Sequence, residues 1–457
     1  MPPLPPTLGA TSLPTTSAAL LSPSALSPAE ARLLAQFAPQ HSTQQLAALT
    51  ALIGQALVYN AQFQVAMRNV EAARALTHQE SAARLPVVAL QAESKRTSFD
   101  NADLDATQRE HYSASGIGLD YDLDFFGRLG ALEQAAQQRY LGSEHGLAAM
   151  RAALIAEVLR AYTLAVASAD TWRVLQETDR HQRLFAAYAQ RRFELGLSSR
   201  DQLELERHAA TAQHTATVNA EAQHAVAQRA LSMLTGFAPA AAVATTGGVN
   251  TLSAAPLPLA ALRDLDARIL LDRPEIRQAE AELRARNADI GAARAAFFPS
   301  IHLTTGVGSV SENLDGLFKS GSRAWTFNPT VNLPIFDGGR NQAQLDAATL
   351  RKDAGIAAYA QAIETAFQQV AGALDQQGAL EAGAALQSRR QQLQDRRTRA
   401  LTRRVEQGLQ DATELLAEHL RAQDAALAHI DAARELALNR IRLLHAFYGT
   451  SFSTNQD

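Results

Sequence analysis

One joint, present twice, constrains this chain more than any other feature. At Leu333-Pro334-Ile335-Phe336-Asp337-Gly338-Gly339-Arg340 an alternating apolar–polar stretch ends, and no proline occurs from there to the C-terminus. A shorter form, Asp122-Leu123-Asp124-Phe125-Phe126-Gly127-Arg128, stands at the same kind of boundary. The two Gly-Arg pairs lie 339 − 127 = 212 positions apart. A change from period 2 to period 3.6 is a change from strand to helix, and glycine supplies the φ values such a change of direction needs. A joint of this kind, written twice, predicts an internal duplication.

Other landmarks keep the offset. Arg273-Pro274-Glu275-Ile276 opens a helical pattern 213 residues after Asn60-Ala61-Gln62-Phe63 (273 − 60). Phe298-Pro299 ends it as Leu85-Pro86 ends the first, because proline disfavours helix at the residue before it. Arg403-Arg404-Val405-Glu406-Gln407-Gly408-Leu409 matches Arg191-Arg192-Phe193-Glu194-Leu195-Gly196-Leu197 at an offset of 212 (403 − 191). The period is far too long for a solenoid. The expected organisation is therefore an extended or disordered segment over 1–41 and a first repeat over 42–236. A linker over 237–271, a second repeat over 272–449 and a tail over 450–457 complete it. In the first repeat strands are expected at about 86–98 and 112–124, separated by a polar loop from Asp100 to Glu110, with long hairpin helices over 128–236. In the second they are expected at about 299–311 and 323–335, with hairpin helices over 339–449.

The strands alternate cleanly. Ile117, Leu119, Tyr121 and Leu123 oppose Gly116, Gly118, Asp120 and Asp122; Trp325, Phe327, Val331 and Leu333 oppose Thr326, Asn328, Thr330 and Asn332. Such strands have the length that crosses a bilayer when tilted. Four strands cannot close a barrel, and open edges in lipid leave backbone groups unpaired. In a membrane, three chains giving twelve strands would solve this. The run from Leu129 to Phe193 predicts a helix of roughly 100 Å. With a return helix ending at Gly236, it makes an antiparallel hairpin suited to coiled-coil packing.

Composition removes other classes. The formal net charge is −4, so no basic field points to nucleic acid. There is no cysteine, hence no disulfide, thiolate metal site or acceptor for N-terminal lipidation. Met1 to Ser27 has neither the basic start nor the apolar centre of a signal peptide. His208, His214 and His224 do not stack as helical metal ligands, and no hydrolase, nucleotide or dinucleotide motif occurs. No metal, cofactor or enzyme activity is expected.

The joint Pro334 to Arg340 resembles that of the TolC-like outer-membrane efflux proteins, in the branch that includes OprM and NodT. So do Ala292-Ala293-Arg294-Ala295-Ala296-Phe297-Phe298-Pro299-Ser300-Ile301 and Arg273-Pro274-Glu275-Ile276-Arg277-Gln278-Ala279-Glu280. Tyr121 to Arg128 resembles the first joint, where the family usually has Trp in place of Phe126. The resemblance covers about Leu46 to Gly449. It implies a mainly α protein with membrane β: a homotrimer whose twelve-stranded β-barrel, four strands per chain, continues into a long α-helical coiled-coil tunnel. The implied function is the outer-membrane channel of a tripartite efflux system, set in outer-membrane lipid with a periplasmic extension. It is a passive exit duct for toxic small molecules, driven by an inner-membrane pump through a periplasmic adaptor.

By the same resemblance, Gly196, Leu197, Gly408 and Leu409 form adaptor-contacting turns. Asp411 stands where the family tends to have an acid, and with Glu414 it is an aperture candidate; Asp201 is a third. An acid at a helix start is also favoured by the helix dipole alone. Gly127, Arg128, Gly338, Gly339 and Arg340 are the strand–helix junctions. Arg389, Arg390, Arg396, Arg397, Arg399, Arg403 and Arg404 form a basic run, read as a solvated coiled-coil face or as partners for acids of a neighbouring chain or adaptor near the aperture. The chain departs from the branch in lacking a visible signal and lipidation cysteine, and in Val405, where a Tyr is common. The other reading is a non-exported or secreted coiled-coil interaction protein derived from that family.

Overall fold

The computed structural model describes residues 43–101, 106–236, 267–311 and 319–449, together with Leu26, Ser27, Glu30, Ala31, Leu34 and Gly248. The elements run α1 (Thr43–Tyr59), α2 (Ala61–Ala82), β1 (Val87–Asn101), β2 (Ala106–Leu123), α3 (Arg128–Glu194) and α4 (Arg200–Thr235). After a 3₁₀ turn at Ala267–Asp272 come α5 (Pro274–Ala295), β3 (Ser300–Ser311), β4 (Arg323–Asn332), α6 (Arg340–Glu406) and α7 (Ala412–Ala446). The two halves repeat one order of elements, and α3 and α6 are both 67 residues long.

Local chemistry sets several boundaries. The Asn60 side chain accepts the Phe63 amide at 3.0 Å, so the chain turns by 58° between α1 and α2 and restarts as a capped helix. Proline at the first position of α5 loses no hydrogen bond, since that amide has no helical partner. Ser199 caps α4, and Gly236 ends it in the left-handed region.

The chain packs into two compact units that cut across the repeats. One comprises Arg68–His145 and Ile276–Ala362; the other comprises Met1–Met67, Gly146–Glu275 and Ile363–Asp457. Each draws segments from both halves of the sequence.

The first of these units holds the sheet. Its order is β1-β2-β3-β4, all antiparallel, so the two repeats meet at the β2–β3 seam. The register lines up Leu90, Ile117, Val307 and Trp325 in one row and Val88, Leu119, Thr305 and Phe327 in the next. Leu90, Ile117, Val307 and Trp325 are 83, 54, 64 and 77% exposed, so this face is apolar and uncovered within the chain. The opposite face carries Asp120, Thr304 and Asn328 in one row and Asp122, His302 and Thr330 in another. In the same unit α3 meets α5 through small residues: Gly142 lies against Ala281, and Gly291 against Ala131.

The first hairpin of strands is longer than expected. Pairing continues to Asn101 opposite Ala106, so most of the segment from Asp100 to Glu110 is strand and not loop. It carries no alternation because period 2 records one wet and one dry face, whereas hydrogen-bond pairing needs neither. β4 stops at Asn332, short of the expected 335, just before Leu333-Pro334.

In the second unit Leu270, Val370, Ala373, Leu374, Leu443, Ala446 and Phe447 form an apolar core. The most apolar part of α3 is mostly buried in protein. The expectation of an extended segment over 1–41 does not hold around Glu30, which is helical and 7% exposed. Ser27 Oγ accepts the Glu30 amide at 3.2 Å while Glu30 Oε2 accepts the Ser27 amide at 2.6 Å, a reciprocal helix cap. The rest of that expectation, over 1–25 and 35–41, the linker over 237–247 and 249–266, and the tail lie outside the described residues.

Candidate functional site

Each strand–helix joint is a glycine turn held by one aspartate. At the second, Gly338 and Gly339 have φ of +66° and +85°. Asp337 accepts the Gly339 amide at 2.9 Å through one oxygen and the Asn341 amide at 2.8 Å through the other. Those amides, the Asn341 amide first, hold its carboxyl below the usual range. At the first joint Gly127 has φ +74°, and Asp124 accepts the Gly130 amide at 2.7 Å. Gly127 and Gly339 are equivalent, for their carbonyls accept from Ala131 and Ala343 four residues on. The aspartate stands three residues before the first glycine and two before the second, yet caps the first helical turn in both.

Both joints are also packed laterally. Phe126 stacks on Phe298 with centroids 4.9 Å apart and planes at 14°. The Asn341 side chain donates to the Ala296 carbonyl at 3.0 Å, tying α6 to the end of α5. A cleft of about 320 Å³ opens here, lined by Asp122, Phe126, Arg128, His302, Arg340 and Asn341 among others. Asp122 contacts the His302 ring, and Arg128 reaches the same carboxylate at 3.8 Å.

The hairpin turns are the second element of the site, and they are near copies. The Leu197 amide donates to the Arg192 carbonyl and the Leu409 amide to the Arg404 carbonyl, both at 2.8 Å. The Gly196 amide donates to the Phe193 carbonyl and the Gly408 amide to the Val405 carbonyl, both at 2.9 Å, and both glycines have φ +71°. This is a helix end closed by a left-handed residue, where glycine has no Cβ penalty. The residue after it commonly packs back on its helix, but Leu197 is 62% and Leu409 66% exposed.

The turns differ at the start of the return helix. Asp411 is the N-cap of α7 and accepts the Thr413 amide at 3.1 Å; its counterpart in α4 is Ser199, which accepts the Gln202 amide at 3.2 Å. Asp201 lies inside the first turn of α4, two residues past that position. Glu414 lies in the first turn of α7 and accepts from the Gln410 side chain. All three acids are exposed.

Within the basic run, Arg397 reaches across its own hairpin to Glu418, at 3.3 Å. Arg396 and Arg399 bond carbonyls of their own helix. Glu418 is only 3% exposed and is also held by Arg421 at 3.0 Å. Nothing in the sequence marks this buried acid, because it stands in a helical run like any solvated glutamate. A second polar layer escapes notice for the same reason: buried Asn439 donates to the Ala373 carbonyl at 2.8 Å and to Gln377 at 2.9 Å. Among the described residues no group of three or more His, Asp or Glu could hold a metal.

The sequence matches the model of a family described as outer membrane efflux protein over residues 52–237 and 267–447. It is 35% identical over 323 residues to the cation efflux system protein CusC of Escherichia coli K12, covering 71% of this chain and 69% of that protein. It is 37% identical over 346 residues to the toluene efflux pump outer membrane protein TtgI of Pseudomonas putida, covering 72% and 70%. Among solved structures, a membrane protein from Pseudomonas aeruginosa superposes with a TM-score of 0.77 at 33% identity, covering 88% of this chain and 93% of that one.

Proposed function

The chain belongs to the outer membrane efflux protein family, and from that premise we propose how its parts serve an outer-membrane exit duct. It is the outer-membrane channel of a tripartite efflux system, a homotrimer working with a periplasmic adaptor and an inner-membrane pump. The observation that carries this reading is the sheet. One face is a continuous apolar surface, the other is polar, and among the described residues β1 and β4 are the outer strands of the sheet. In lipid, every unpaired edge group costs several kcal/mol. Joining β4 of one chain to β1 of the next satisfies the edges and closes twelve strands, with Asp120, Asp122 and His302 toward the lumen. A coiled-coil protein in water would instead expose that apolar face, which disfavours the non-exported reading.

Gly127–Arg128 and Gly338-Gly339-Arg340 then serve as the junctions between membrane sheet and helical wall. The exposed Leu197 and Leu409, each presented by its glycine turn, serve as apolar contacts for the adaptor. Asp411 and Glu414, one ring of each in a trimer, narrow the aperture and favour cations, with Asp201 contributing from the first turn. The chain's role is conduction, without catalysis and without a cofactor. Relatives of similar identity are named for cation and for toluene efflux, so the duct leaves the choice of cargo to its pump. Fractionation with native electrophoresis in detergent tests the whole: an outer-membrane trimer is expected, and a soluble monomer would refute it. In planar bilayers, Asp411→Asn with Glu414→Gln is expected to raise conductance and lower cation selectivity.

A further inference from the structure

Two histidines join the two hairpins. His181 lies on α3, about three and a half turns before its end, and His419 lies on α7, about two turns after its start. Their rings meet with centroids 4.3 Å apart and planes at 32°. They come from different repeats, one on the outgoing helix of the first hairpin and one on the return helix of the second. Both are half-buried.

Glu177, one turn before His181 on α3, and the buried Glu418 on α7 both act on His419. Glu418 is already engaged by Arg397 from α6 and Arg421 from α7. Burial first, and then His181, hold His419 below the ordinary histidine value against the pull of these two acids. Neutral imidazoles stack; two imidazolium rings at this separation repel, and the half-buried site solvates neither well.

We propose that His181 and His419 form an acid-released contact between the two hairpins, intact at neutral pH and opened when the surroundings acidify. The direction follows from the chemistry. A histidine held below its ordinary value favours the packed state while neutral. That preference is present above the ordinary histidine pKa and is lost as the pH falls below it. The contact therefore responds to acidity at the end of the hairpins where the turns lie. Its effect on conduction rests on the aperture role proposed for Asp411 and Glu414; the release itself does not.

The chain has no cysteine, so two introduced at the equivalent turn positions, Leu195→Cys and Gln407→Cys, can carry spin labels specifically. The full-length labelled chain is co-assembled with excess unlabelled chain, and the label-to-label distance is read by pulsed EPR from about pH 7.5 to about pH 5, spanning the ordinary histidine value. The distance is expected to lengthen and its distribution to broaden on acidification. His181→Phe and His419→Phe, which keep an aromatic contact but cannot titrate, are expected to abolish most of that change. His181→Gln and His419→Gln serve the same purpose if a phenylalanine variant fails to assemble. An acid-insensitive distance in the unsubstituted histidine background, or the same acid response in the non-titrating variants, overturns the proposal. Conductance of the same trimers separates the two readings: a distance that lengthens with acid while conductance stays constant supports the release and refutes the aperture assignment.

Discussion

Gly339 has no atom within 4 Å of where a Cβ would lie, so the demand on it is conformational and not one of space. Holding an L-residue in that region costs about 1–2 kcal/mol, and β-branching adds to it. Gly339→Val is expected to lower the yield of trimer while trimers that do form conduct normally. An unchanged yield on native gels would remove the junction role. Glu30 is held in the interior by charged and polar partners. Burial pushes its carboxyl up, but Arg151 at 2.7 Å, Tyr448 at 2.5 Å and the Ser27 amide outweigh burial and hold it below the usual range. Arg151 is itself 2% exposed. Glu30→Gln leaves that guanidinium without its counter-charge, which for a buried pair costs about 3–5 kcal/mol, and a fall in Tm of the trimer should report it. Because the folded carboxyl is depressed, its contribution is full above the ordinary carboxylate pKa and is lost as the pH falls through the folded value. The spacing Ser27-Pro28-Ala29-Glu30 is a helix-start pattern and could have been read. The partners could not, since Arg151 and Tyr448 lie far away in the chain.

At the scale of elements, the turns show how a local motif becomes a surface. Seven residues fix the closing hydrogen bonds of each turn, and the bonds from the glycine and leucine amides have the same distances in both. What they present is decided by the residue after the glycine. Leu197→Asp with Leu409→Asp is expected to abolish adaptor binding, measured by pull-down, and to leave trimer formation and outer-membrane insertion unchanged, because neither leucine is packed. Loss of the trimer in that variant would show that the leucines belong to the protein's own packing. The strands carry a complementary lesson. Alternation located the half of β1 and β2 that has one apolar face and failed over the remainder, where pairing alone makes the strand.

For the whole molecule, the decisive fact is that each compact unit is assembled from both repeats. The sheet takes β1 and β2 from the first and β3 and β4 from the second, and the β2–β3 seam joins them. Neither repeat holds a complete core. Residues 42–236 or 272–449 expressed alone are expected to be aggregated or largely unfolded by circular dichroism, whereas the two co-expressed recover a trimer. A stable, cooperatively melting half would contradict this.

The sequence alone determined whatever depends on neighbours along the chain. It set the strand-to-helix joints through their glycines, the length of the long helices through the absence of proline, the turns through Gly196 and Gly408, and the duplication through a constant offset. These are short-range properties, and a few residues suffice to specify each. Only the tertiary structure decided which elements meet. It paired β2 with β3 and withdrew Glu418 from water against Arg397. It also brought His181 to His419 and carried Glu30 into the interior. Such contacts join residues remote in sequence whose identities, taken singly, are those of any solvated helix face; burial gives them their meaning, and burial is a property of the assembled fold.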